Sequence, residues 1–278
     1  MAAPGLIPSG SISPGAMLGS LWTNRTLLKL LIGREIVGRY KGSVMGLMWS
    51  LFYPLLMLAV YTFVFSVVFQ ARWGVTDESK TQFALVLFAG LMVYVLFSEC
   101  LNRAPTLILS NVNYVKKVVF PLEILPWVSL GAALFHLGVS FIVWLGAFLV
   151  LFGVPPATAL LFPVILAPLL MLVMGASWLL ASLGVYVRDV TQIISVLTST
   201  LLFLTPIFYP IEILPKDFQF WLMLNPLTHL VGWVRDVLIW GRTPDWALFG
   251  WFTFASLAVM WLSFVWFQKT RKGFADVL

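Results

Sequence analysis

Residues 124–187 read ILPWVSLGAALFHLGVSFIVWLGAFLVLFGVPPATALLFPVILAPLLMLVMGASWLLASLGVYV, with no Asp, Glu, Lys or Arg among them. A helix needs about 20 apolar residues to cross the hydrocarbon of a bilayer, so this stretch is long enough for two crossings. The tandem Pro155-Pro156 after Gly153 divides it, because a proline lacks the backbone donor that a continuing helix needs. In lipid each segment has to satisfy its own backbone N–H and C=O groups, which makes both crossings helical. The stretch therefore decides the fold class: an all-α integral membrane protein.

Outward from this stretch, the other charge-poor runs complete six spans, near 44–70, 83–101, 126–152, 160–187, 190–209 and 246–268. Composition agrees: 61% of the 278 residues are hydrophobic and 10% are charged, more apolar surface than one water-soluble core could hide. The second span is the shortest. Its helix is expected to run on past Glu99, which stands four residues before Arg103 and so within reach of an ion pair. Residues 1–20 carry no charge, repeat Pro and Gly, and lack the basic and apolar regions of a signal peptide, so they read as a flexible tail before one transmembrane domain over 21–278.

Lys and Arg set the orientation. With six spans, 12 of the 17 fall on the side that holds both ends of the chain, which predicts cytoplasmic N- and C-termini. The net charge of +6 is dispersed between apolar runs and forms no stripe that would suit nucleic acid. Cys100 is the only cysteine, which excludes an intrachain disulfide and a cysteine-based metal site. No phosphate loop, zinc helix or nucleophile elbow occurs, so no catalytic residue, metal site or cofactor of the chain's own is expected. The spans are nearly free of ionisable groups. His136 is the exception, and with no carboxylate one helical turn away it reads as a hydrogen-bonded packing residue rather than a proton relay.

Four segments carry more information. Residues 25–41 mix leucines with Arg25, Lys29, Arg34, Arg39 and Lys41 at near-helical spacing, as in a helix lying in the headgroup plane; the readings are a topology anchor or a gate helix whose cations meet phosphates. Residues 111–123 include Asn111, Asn113, Lys116, Lys117, Phe120 and Glu123, where a lysine pair beside exposed apolar residues suits a docking surface, against the plainer reading of a loop. Residues 205–242 are broken by Pro206, Pro210, Pro215 and Pro226. Their pieces 218–224 and 228–240 are amphipathic and too short to span, which suits either re-entrant or interfacial helices, with Trp221, His229 and Trp233 at the far mouth. In the first span Trp49, Phe52 and Tyr53 share one face, as do Tyr61, Phe65 and Phe69. Such rings pack or face lipid in most membrane proteins, but flat rings also stack on the C–H faces of sugars. Gly42 and Gly46 form a small-xxx-small pair that permits close helix contact.

Taken together these segments resemble a known family. The run GREIVGRYKGSVMGLMWS at 33–50 with Pro54 after it, VKKVVFPLEILP at 115–126, YVRDV at 186–190 and NPL at 225–227 are similar, in order, to the membrane subunits of polysaccharide ABC exporters, which export O-antigen or, in other bacteria, teichoic acid. The first-span sequence is nearer the O-antigen type than the capsule type. The resemblance implies a homodimeric channel in the bacterial inner membrane, with two copies of a separate nucleotide-binding ATPase that carries the ATP and Mg, and a lipid-linked polysaccharide as cargo. In that picture residues 25–41 are the gate helix, residues 111–123 belong to the ATPase-contact region and the pieces 218–224 and 228–240 are the periplasmic gate. Aromatics such as Trp49, Phe52, Tyr53, Tyr61 and Phe65 would line the path. The competing readings are the same architecture with teichoic acid, capsule or a small molecule as cargo, and a membrane glycosyl- or acyltransferase. The enzyme would need an acid–base pair, for which Arg235-Asp236 is the adjacent candidate on the far side.

Overall fold

The computed structural model describes residues 12–64, 80–115 and 120–278. Phe65, Phe69, Lys116 and Lys117 lie outside them. All regular elements among the described residues are helical. In chain order they are α1 (Pro14–Thr23), α2 (Arg25–Tyr40), α3 (Met48–Tyr61), α4 (Lys80–Arg103), a single turn α5 (Val112–Val115), α6 (Leu125–Phe152), α7 (Phe162–Tyr186), α8 (Val190–Leu204), α9 (Lys216–Met223), α10 (Pro226–Arg235) with a π-turn Asp236–Trp240, α11 (Trp246–Thr270) and α12 (Phe274–Val277).

Four helices among the described residues, α4, α6, α7 and α11, are long and apolar enough to cross a membrane. The apolar helices Met48–Val64 and Val190–Leu204 are shorter. At about 1.5 Å per residue, the 15 residues of α8 reach roughly 22 Å, less than the roughly 30 Å of hydrocarbon. The expected span over 190–209 is therefore cut short: Thr205 is extended and Pro206 follows it, so the helix cannot continue. The first span also starts later than expected, at Met48. Gly42 and Gly46 stand at φ 86° and 52° in the turn that leads from α2 to α3, a conformation that disfavours a Cβ. They serve the turn and stand outside both helices, with nothing among the described residues within 4 Å of a Cβ built at either.

The second span proves to be the innermost. Every residue from 83 to 94 is buried, and α6, α10, α3, α7 and α8 pack around it. Its helix runs from Lys80 to Arg103, longer than the 83–101 expected. Side-chain donors bind neighbouring helices to it and to one another: Trp144 Nε1 donates to Leu85 O (3.1 Å), Tyr94 to Thr198 O, and Trp178 Nε1 to Glu123 O (3.1 Å). Small residues set the closest approaches. A Cβ on Gly184 would lie 2.0 Å from Pro105 O, and one on Gly175 would lie 3.0 Å from Met260 Cα, so α7 touches both the turn after α4 and helix α11.

The far-side pieces form two short helices. Asn225 Oδ1 accepts from Leu227 N (3.0 Å) as N-cap of α10, and Pro226 occupies the first turn, where its missing N–H costs nothing. At the other end of the chain, Arg271 Nη1 reaches Glu123 Oε2 (2.6 Å) and the Phe274 ring is fully buried against Tyr186 and Phe267, so the C-terminal turn is fastened to the bundle.

Candidate functional site

The amphipathic pattern of α2 has a definite partner. Leu31 is buried with Ile124 and Val128, flanked by Leu27, Leu28 and Ile32, and Ile32 fits where a Cβ on Gly131 of α6 would stand 2.3 Å from its Cδ1. This contact carries the C-terminal end of α2 to the flank of α4 and α6. There Arg39 Nη1 meets Glu99 Oε1 of α4 at 2.5 Å, and His136 Nδ1 of α6 stands 3.2 and 3.3 Å from the two Glu99 oxygens. Tyr40 Oη lies 3.2 Å from His136 Nε2.

Arg39 Nη1 also stands 3.0 Å from His136 Nδ1, so guanidinium and imidazole converge on the one carboxylate, and with Nδ1–H turned to Glu99 the Nε2 atom is left to accept from the phenol. Burial raises the Tyr40 hydroxyl above its ordinary value, with Arg39 opposing, so it remains a donor. His136 is thus not the solitary imidazole that its own helix suggests. The carboxylate comes from a different span, which spacing within α6 could not reveal. Glu99 does not pair with Arg103 either. Arg103 turns to Glu35 of α2, so two cross-helix ion pairs fasten α2 in place of one pair within α4.

The network forms one end of a cavity of about 420 Å³ between α2, α3, α4 and α6. Trp49, Tyr53 and Tyr61 of α3 line it, with Pro54 and Met57, opposite Phe88, Met92 and Val95 of α4. A mostly apolar concavity with a few converging polar groups is the usual form of a small-molecule site. Rings provide stacking surfaces here, while the Arg39, Glu99, Tyr40 and His136 end can donate and accept hydrogen bonds. Phe52 is exposed and sits edge-on to Trp49, with ring centroids 5.5 Å apart, outside the lining.

The remaining expected residues are spread over the molecule. On α2, Arg25 lies over Trp22 at 5.0 Å, Arg34 Nη2 donates to Tyr114 Oη at 3.1 Å, and Lys29 and Lys41 are exposed. In the 111–123 region Asn111 bonds back to Leu107 O (2.9 Å), Asn113 is exposed, and Phe120 stacks on Tyr114 at 4.1 Å. Glu123 is turned inward to Arg271. On the far side Trp221 is exposed, whereas Trp233 is buried against Phe249 and Phe252 of α11. His229 lies beside Trp233 and Phe252, its Nε2 2.9 Å from Met223 O.

Arg235 does not have the role in proton transfer that its neighbour Asp236 suggested. It is fully enclosed and donates to Val86 O (3.0 Å), Pro206 O (2.7 Å) and Ile207 O (2.8 Å), joining α10 to α4 and to the turn that ends α8. Gly90 makes the room, since a Cβ there would lie 2.8 Å from Arg235 Nη2. A glycine in the middle of an apolar span was the one signal in the sequence for this packing.

Comparison with known proteins follows the same outline. The family described as ABC-2 type transporter, of the membrane kind, matches residues 26–239. An O-antigen export system permease protein, RfbA, of Myxococcus xanthus is 27% identical over 94% of this chain and 98% of its own. A Klebsiella pneumoniae protein of the same name is 25% identical over 91% of this chain and 95% of its own. The polysialic acid transport protein KpsM of Escherichia coli is 22% identical over 80% and 84%.

Proposed function

The chain belongs to the ABC-2 type transporter family, and on that premise we propose that it is the membrane subunit that exports a lipid-linked polysaccharide, of the O-antigen kind, across the bacterial inner membrane. The O-antigen export permeases of Myxococcus xanthus and Klebsiella pneumoniae support this cargo, since they align with nearly the whole chain. The observation that carries the reading is the cavity beside α3. Trp49, Tyr53 and Tyr61 offer flat faces to a pyranose ring, and the Arg39, Glu99, His136 and Tyr40 end offers donors and acceptors to its hydroxyls.

In this reading two copies enclose the channel. The exposed apolar faces of α3 and α8, with Leu55 and Leu56 on one and Ile193 and Val196 on the other, are surfaces that a second copy or lipid would cover. Energy comes from a separate ATPase, bound as two copies on the cytoplasmic side near residues 111–123 and holding the ATP and Mg. Its cycle opens and closes the dimer and moves the glycan stepwise. Helix α2 is the gate at the cytoplasmic entrance, α9 and α10 are re-entrant pieces at the periplasmic mouth, and both termini are cytoplasmic.

The test is genetic and chemical. A strain lacking this chain should accumulate lipid-linked glycan inside the cell and lose it from the surface, and the intact gene should restore it only together with the ATPase. Purified protein that turned over a lipid-linked sugar without any ATPase would overturn the reading in favour of an enzyme.

A further inference from the structure

A second cavity, of about 290 Å³, lies against α2 at residues 31–35, N-terminal to the Arg39 and Tyr40 that border the aromatic cavity. Its walls come from α2, the end of α4 with the turns after it, and the start of α6. The polar part holds Arg34, Glu35, Arg103, Ser110, Asn111 and Ser129. Arg103 is paired with Glu35, and Arg34 touches Tyr114 Oη, an uncharged partner. The two guanidinium groups therefore leave one net positive charge facing the space.

Ser129 is the independent sign that the space is meant to be filled. It is 3% exposed, and its buried hydroxyl has no hydrogen-bond partner among the described residues. A buried hydroxyl left in that state is destabilising, and an occupant of the cavity with an acceptor or donor would satisfy it. The volume is several times the roughly 30 Å³ share of one water. The remaining wall is apolar, formed by Leu31, Leu107, Leu125 and Val128. A cationic and hydroxylated end beside an apolar wall, under a helix with the composition of an interfacial helix, fits a headgroup and the start of its chains better than a free anion.

We propose that this cavity binds the phosphodiester headgroup of an anionic membrane phospholipid, with Arg34 and Arg103 toward the phosphate, the Ser129 hydroxyl as a further donor, and the four apolar residues against the glycerol end. The site makes a lipid part of the seat of α2. It does not depend on the nature of the cargo.

The experiment uses the full chain in mild detergent, delipidated and titrated with dihexanoyl phosphatidylglycerol or with inorganic phosphate while thermal unfolding is followed. The expected result is a saturable rise in Tm with the short-chain lipid and none with phosphate at equal concentration. The midpoint should move at least fivefold upward in Arg34→Gln and in Ser129→Val. Arg34 is exposed and its variant should fold, so if Ser129→Val failed to fold, the Arg34→Gln titration would decide alone. Equal stabilisation by inorganic phosphate would mean a free-anion site and overturn the lipid. No response to either would mean that the cavity holds water and overturn the site. An equal lipid response in wild type and both variants would mean that the lipid acts elsewhere.

Discussion

His136 on α6 and Glu99 on α4, 37 residues apart in sequence, meet at 3.2 Å, and the end of α2 closes over them through Arg39 and Tyr40. The contact turns an imidazole in an apolar span into part of a junction between α2, α4 and α6. It also brings a charged network to the end of a cavity otherwise lined by rings.

Glu99→Gln should loosen this junction. The amide keeps the shape but removes the charge that balances Arg39, and a hydrogen bond to a charged group contributes about 1.5–3 kcal/mol. Because Arg39 is half exposed, a loss of about 1–2 kcal/mol is expected, with faster trypsin cleavage after Arg39 or Lys41. An unchanged melt together with unchanged cleavage would show that the network does not hold α2.

Arg235→Leu should be among the most damaging single changes on the far side. Three backbone carbonyls lose their guanidinium donor in a fully enclosed place, which predicts a loss of about 3 kcal/mol or more. Gly90→Ala should act in the same direction and more weakly, by pushing Nη2 off its acceptors. Unfolding in mixed detergent micelles measures both, and a wild-type midpoint for Arg235→Leu would refute the assignment.

Two glycines test packing against conformation. Gly184→Ala would put a methyl 2.0 Å from a backbone oxygen that cannot swing away, and overpacking of this kind costs about 1–3 kcal/mol or more. Gly38→Ala, in α2 with nothing among the described residues within 4 Å, should be neutral or stabilise by up to about 1 kcal/mol through helix propensity. Similar melts for the two would remove the close approach of α7 to Pro105 as a determinant.

Trp49→Ala and Tyr53→Ala separate function from stability. Both residues are exposed, so the melt should move by about 0.5 kcal/mol or less, whereas surface polysaccharide should fall severalfold. Normal surface polysaccharide would take these rings off the path.

Charge reversal at both Lys116 and Lys117 should reduce co-purification with the ATPase while membrane insertion stays intact. Undiminished recovery of the complex would move the docking surface elsewhere.

Much of this site was legible one residue at a time and not as an assembly. Trp49, Tyr53 and Tyr61 could be placed on α3 by spacing, and Arg39 at the end of an amphipathic helix. That Glu99 faces Arg39 and His136, and not Arg103, could not be read. The spacing of Glu99 and Arg103 permits a pair within one helix, but long flexible side chains choose among all charges in reach, and Glu35 and Arg39 come within reach only when α2 folds back. The same holds for Arg235, whose acceptors come from Val86, Pro206 and Ile207.

The sequence by itself determined the helical, membrane-embedded class and the approximate positions of the apolar helices, because the cost of placing charge or unsatisfied backbone in hydrocarbon acts on each segment separately. The charge-free stretch at 124–187 became α6 and α7 with the turn at Gly153 between them. Local chemistry also set the stop of α8 before Pro206 and the Asn225 cap. Tertiary structure alone decided that α4 lies at the centre, that a mid-span glycine houses a guanidinium, and that His136 has a carboxylate partner. Each of these depends on which helices lie side by side, and hydropathy along a chain carries no record of its neighbours.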